Sequence, residues 1–196
     1  MSPILQSLAN ASAFGFRSAR AALPSFESIA TTNITTNTAS VTFSSIPATF
    51  AHLQLRVIGR TDRSGSAYDA FLIRVNNDTT AANYTYHYIL GEGASASAGQ
   101  ENGSYGGAVV YRLPGATAAS NIFGATITDI LDYTSTNKNK TLRSIGATDL
   151  NGSGEIYFGS NLWLNTSAIT SLVIVPRTGT NFVQYSQFAL YGIRSA

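Results

Sequence analysis

From residue 26 onward, apolar and polar residues alternate with a period of two. Val41 and Phe43 alternate with polar neighbours, and Ile46-Pro47 closes that run. Leu53, Leu55 and Val57 alternate with Gln54 and Arg56. Phe71, Ile73 and Val75 alternate with Leu72 and Arg74 before the turn signal Asn76-Asn77-Asp78. Tyr84, Tyr86 and Tyr88 share one strand face, with Thr85, His87 and Ile89 on the other. Further strand-length runs cover 109–113, 122–133, 141–147, 155–164, 171–175 and 187–193. Successive side chains of a strand point to opposite faces, so each run presents one apolar face to a core. Short strands at regular spacing, broken by Gly, Asn, Asp, Ser and Pro turns and without sustained helical periodicity, describe a sandwich or barrel. About ten strands fit two packed antiparallel sheets with Greek-key links, and a jelly-roll-like β-sandwich is the expected fold.

Residues 1–25 follow another pattern. Ser2-Pro3 is a helix start, Ile4, Leu8 and Ala11 follow at helical spacing, and Gly15 is a stop. Phe14, Phe16, Arg17 and Arg20 then read as an extended arm. A short helix with one apolar stripe is marginal alone and needs a partner. The expected organisation is an anchoring arm over 1–25 and a sandwich domain over 26–196. Its anchor residues are Ile4, Leu8, Phe14, Phe16, Arg17 and Arg20.

Two stretches interrupt the rhythm. Residues 91–107, rich in Gly and Ser, read as a long surface loop. Residues 31–40 read as a hairpin turn region.

Charge sharpens this picture. Hydrophobic residues make up 44% of the 196-residue chain and charged ones only 11%, against roughly 25% charged in an average soluble domain. Uncharged hydrogen-bonding residues suit a surface that packs against neighbours, because they cost less to desolvate than charges. The composition points to an assembly component rather than a freely diffusing enzyme. The net charge is +2 and scattered. The cluster Lys138, Lys140 and Arg143 reads as a solvated turn, so nucleic acid is not an expected partner. With no Cys, neither disulfides nor thiolate metal sites are expected. No basic leader or membrane-length apolar run is seen, which predicts synthesis in a cytoplasm without a membrane partner.

Candidate chemistry is sparse. His52 and His87 fall in strands outside any catalytic motif. Asp129 and Asp132 are the nearest carboxylate pair, but the strand sends them to opposite faces; pairing with Arg112 or Arg143 is the expected role. Asp149 to Glu155 departs from calcium-loop spacing, and Asn151-Gly152 signals a hairpin. No catalytic residue, metal or cofactor is expected. The aromatics say more: Tyr84, Tyr86, Tyr88 and Trp163 form a candidate surface platform for a sugar or protein partner, with core packing as the competing reading.

Several segments together carry a resemblance. They are Ala39 to Arg56, Ile73 to Asp78 with Asn83-Tyr84, and Ile127 to Tyr133 with 137–141. Leu162-Trp163-Leu164-Asn165-Thr166 with 168–172, Phe188 to Ile193, and Ala13 to Arg17 complete the set. The chain resembles tailed-bacteriophage virion structural proteins, a group spanning capsid decoration or cement, head-fibre and tail-associated jelly-roll proteins. The resemblance implies a virion location after assembly in the host bacterial cytoplasm. It implies the major capsid protein or another virion protein as partner, and a homo-oligomer with a trimer favoured. The alternative is a tail- or fibre-associated module that binds a host glycan.

Overall fold

The structure, a computed structural model, describes residues 25–194. In chain order the strands are β1 (Phe26–Asn33), β2 (Val41–Phe43), β3 (His52–Gly59), β4 (Tyr68–Val75), β5 (Tyr84–Glu92), β6 (Ser95–Asn102), β7 (Ala108–Pro114), β8 (Gly124–Ile130), β9 (Lys140–Asp149), β10 (Gly154–Trp163), β11 (Leu172–Pro176) and β12 (Gln187–Ile193). A short 3-10 helix, Ala81–Asn83, precedes β5.

The strands form two antiparallel sheets. The large one has the order β1-β12-β3-β8-β9-β10-β5-β6 and the small one β2-β11-β4-β7. The pairs β2 with β11, β3 with β8, β4 with β7, and β5 with β6 are nested along the chain. Wound as a ribbon, such nested pairs make a jelly-roll-like sandwich. Here β9 and β10 extend the large sheet as a meander between β8 and β5, and β12 and β1 extend it beyond β3.

The alternation seen in the sequence becomes the core. Leu53, Leu55 and Val57 from the large sheet meet Phe71, Ile73, Val75, Leu172 and Ile174 from the small one, with Phe182 and Phe188 between them. A second, smaller core forms where Tyr86 of the large sheet meets Ala70, Leu72 and Val109 of the small one. The side chains of β10 reach the β7 backbone there: Asn161 Nδ2 donates to Val109 O at 2.9 Å, and Val109 N donates back to Asn161 Oδ1 at 2.9 Å.

Three local expectations are corrected. Residues 91–107 are not a long loop: they contain the end of β5, a two-residue turn and all of β6, paired in continuous register from Glu92↔Ser95 to Thr85↔Asn102. The alternation in β6 is Ser against Ala, which carries too little hydrophobic contrast to show a strand. Residues 31–40 are not a hairpin turn, because β1 and β2 lie in different sheets; the segment crosses between them, burying Ile34 and pairing Thr38 with Phe182. Lys140 is not solvated. It is fully buried, and its Nζ donates to the carbonyls of Ser135 at 2.7 Å, Lys138 at 2.8 Å and Thr166 at 3.0 Å. Three carbonyls replace the water that the ammonium loses.

The Asn151-Gly152 expectation holds. Both residues have positive φ, 60° and 108°, and Leu150 N donates to Ser153 O at 2.7 Å. Glycine at the second position fits the primed turn that joins twisted strands.

Candidate interaction surface

The inward residues of the large sheet make the core, and the outward ones make a surface of unusual composition. On β10 the outward residues are Ile156 and Phe158; on β9, Ile145 and Ala147; on β8, Ala125 and Ile127. Strand register sets them side by side. One row runs Ile58, Ala125, Ala147, Ile156, Gly91, Ala96 across β3, β8, β9, β10, β5 and β6. The next runs Ile127, Ile145, Phe158, Ile89, Ala98 across β8, β9, β10, β5 and β6. From β8 to β6 these two rows contain no charge; at β3 the second row ends on Arg56.

Their large side chains face outward: Ile156 is 62% exposed, Ile89 59%, and Ile58 and Ile145 52% each. With strands about 4.8 Å apart and same-face residues roughly 6.8 Å apart along each strand, the band covers on the order of 400 Å². Patches of that size are among the largest on ordinary monomers and are often functional.

The band has relief. A depression of about 580 Å³ lies beside Ile156 and Ala147, lined also by four glycines and by Asp149 and Glu155. A second, of about 330 Å³, lies among His87, Ile89, Ala98, Phe158 and Ser160. Small residues next to isoleucines and a phenylalanine produce knobs and hollows, the shape that complementary packing requires.

A polar row borders the band. It runs Tyr191, Gln54, Asp129, Arg143, Ser160, His87, Gln100. Gln54 Nε2 donates to Asp129 Oδ1 at 2.8 Å, and Arg143 Nη2 donates to Asp129 Oδ2 at 2.9 Å. The expected pairing of Asp129 with Arg143 is present. Asp132 lies in the turn after β8, where Lys138 Nζ donates to it at 2.7 Å and holds its pKa below the usual carboxylate value. His52 accepts from Asp132 N through Nδ1 at 3.0 Å, and His87 bonds Gln100 at 2.6 Å. Arg56 stacks over Phe26 at 5.4 Å and Tyr191 at 4.9 Å, so the β1 end of the face is aromatic and cationic.

The candidate aromatic platform is corrected. Tyr84, Tyr86 and Trp163 are buried and Tyr88 is half-buried. Their strand phase points between the sheets. Tyr84 enters the main core, where burial pushes its pKa up to about 12, and its Oη accepts from Val75 N at 3.1 Å. Tyr86 and Tyr88 join Tyr111 and Tyr157 with ring centroids 5.3 to 6.2 Å apart. Arg177 lies over Tyr105 at 4.3 Å and Tyr111 at 5.3 Å. Tyr88 lies against Gly99 of β6, where a Cβ would sit 2.6 Å from its Oη. The tyrosines therefore fix how the end of the large sheet packs onto the small sheet. The anchor residues Ile4, Leu8, Phe14, Phe16, Arg17 and Arg20 lie outside the described residues.

One charged cluster stands at the rim of the larger depression. Glu155 faces Glu92 directly across the β10–β5 pair and forms an ion pair with Arg112 of β7. Burial raises the Glu155 pKa; Arg112 pulls it back only in part, and Glu92 adds an upward push.

Sequence reasoning missed the apolar band itself. The signal was there, because Ile156-Tyr157-Phe158 and Ile127, Ile145 and Ile89 put large apolar residues in both phases of their strands. A sheet with one face in water should have one polar phase. No protein-family model, no curated protein and no solved structure matches the chain.

Proposed function

We propose that this chain is a non-enzymatic structural subunit of a bacteriophage particle, a capsid decoration protein. In this reading the outer face of its large sheet and its residues 1–25 dock on the major capsid protein or another virion protein. The observation that carries the docking is the uncharged apolar band on the exposed side of the large sheet. Water-facing isoleucines at this density gain free energy when covered, on the order of 25 cal/mol per Å² before association costs. A stable interface buries about 800 Å² per partner. The band would therefore be the apolar centre of a footprint whose rim includes the Gln54–Asp129–Arg143 row. Scarce charge and the resemblance of segments such as Ala39 to Arg56 support the virion assignment.

The glycan-binding alternative drew on Tyr84, Tyr86, Tyr88 and Trp163 as an exposed platform. Three of these are buried, so they do not form the exposed platform that this alternative requires.

The test is co-sedimentation with purified heads and, separately, tails of the phage that encodes the chain. Saturable binding to heads at high copy number supports the proposal. Binding to tails alone, or to neither, overturns it.

A further inference from the structure

The two ends of the large sheet are built differently. At one end, β1 carries a register shift between Ser28 and Ala30, and an ion pair joins Glu27 to Arg194 at 2.6 Å. Bulges and charges are the usual devices that stop a sheet edge from pairing with another chain. At the other end, β6 has none of these along Ser95-Ala96-Ser97-Ala98-Gly99. It is regular over eight residues, mostly exposed, free of proline, lysine and arginine, and among the described residues it pairs only with β5. Its single charge, Glu101, points to the inner side beside Tyr86.

We propose that β6 is a self-pairing edge, and that two copies of the chain join antiparallel through it into one continuous sheet. A two-fold axis makes an edge its own complement, so a single regular strand suffices. A pairing centred on Ala98 sets Ala98 against Ala98 of the second copy, Ser97 against Gly99, Ala96 against Gln100, and Ser95 against Glu101. Outward residues then meet outward residues, and no two glutamates face each other. A register centred on Glu101 would oppose two carboxylates and is disfavoured. The Ala98-centred register also carries the row Phe158–Ile89–Ala98 straight into the same row of the second copy. That row thereby doubles in length, while the Ala96 row meets Gln100 of the second copy. This is a two-fold pair rather than the three-fold assembly expected from the resemblance. The pairing does not depend on what the outer face binds, so its test and the head-binding test fail separately.

The experiment is sedimentation velocity on the full chain, alone and with two substitutions at the axis. The wild type should sediment at twice the chain mass of 20.7 kDa. Ala98→Lys and Ala98→Glu, each exposed in the free protein, should each weaken the dimer at least tenfold, because each places like charges at the axis. An equimolar mixture of the two should restore it. Fluorescence of Trp163, the only tryptophan, confirms that each variant is folded. A wild type that is monomeric or trimeric at tens of micromolar overturns the proposal. Single variants that dimerise unchanged, or a mixture that fails to restore pairing, also overturn it.

Discussion

The indole N–H of Trp163 donates to Asp78 Oδ2 at 2.8 Å, tying the end of β10 to the turn after β4 and so one sheet to the other. Asn83 Nδ2 donates to the same oxygen at 2.8 Å, and Thr80 N donates to Oδ1 at 2.8 Å. Burial pushes the Asp78 carboxyl up, but the hydrogen bonds from Trp163, Asn83 and Thr80 outweigh it and hold the pKa below the usual value. A depressed carboxylate stabilises the fold above its unfolded pKa, and that contribution disappears as pH falls through the folded value. Asp78→Ala leaves a buried indole N–H unsatisfied and should cost about 1–3 kcal/mol at pH 7. Urea denaturation followed by Trp163 fluorescence measures it. The deficit relative to wild type should begin to shrink below about pH 4, the unfolded value, and go on shrinking as pH falls through the lower folded value.

Glu155 predicts the opposite slope. A carboxyl whose folded pKa is raised carries no penalty below its unfolded pKa, and the penalty grows as pH rises through the folded value. Glu92→Gln removes the like charge facing Glu155 and should stabilise the protein at pH 7 by about 0.2–1 kcal/mol. The gain should fade toward pH 4. Glu155→Gln should also stabilise the protein at pH 7, because burial and Glu92 outweigh the pull of the half-buried Arg112 on the Glu155 charge, and this gain too should fade toward pH 4. Thermal melts of both variants from pH 4 to 8 measure these gains, and a destabilised Glu155→Gln would contradict them.

Arg60 organises the loop between β7 and β8. Its Nη1 donates to the carbonyls of Ala119 at 2.6 Å and Ile122 at 3.2 Å, and its Nη2 to those of Ala118 at 2.7 Å and Ala116 at 3.3 Å. A planar fork with fixed donors suits this arrangement, and a lysine cannot reproduce it. Arg60→Lys should cost about 1.5–3 kcal/mol. Amide exchange over residues 115–123 should quicken more than exchange in the core strands.

The large-residue strands were legible because their alternation is strong: Leu53-Gln54-Leu55-Arg56-Val57 reads as a half-buried strand at sight, and its odd positions are buried. The turn at Asn151-Gly152 was legible because positive φ restricts the choice of residue. Strand β6 was not, since Ser and Ala differ too little in hydrophobicity to mark a face. Lys140 misled because a buried ammonium satisfied by carbonyls has no sequence signature: its partners Ser135 and Thr166 contribute backbone only. The tyrosine row was read correctly as one face, but tyrosine suits either a core or a wet surface, so periodicity did not tell whether that face meets the core. Tyr84, Tyr86 and Tyr88 went inward and Ile89 outward. The outer band was missed for the same reason, since its rows exist only through the register of six strands.

The outer band is the centre of the functional reading, and it makes a stability prediction as well as a binding one. Ile156 and Phe158 are exposed, so charges there should change folding stability by no more than about 0.5 kcal/mol. In an interface they would be buried without a counter-charge, which costs several kcal/mol.

The most direct measurement is head co-sedimentation of the double variant Ile156→Asp, Phe158→Asp beside wild type, with melting temperatures taken in parallel. The account predicts a folded variant of near wild-type melting temperature whose apparent affinity for heads falls at least a hundredfold. A variant that decorates heads at wild-type occupancy would contradict it.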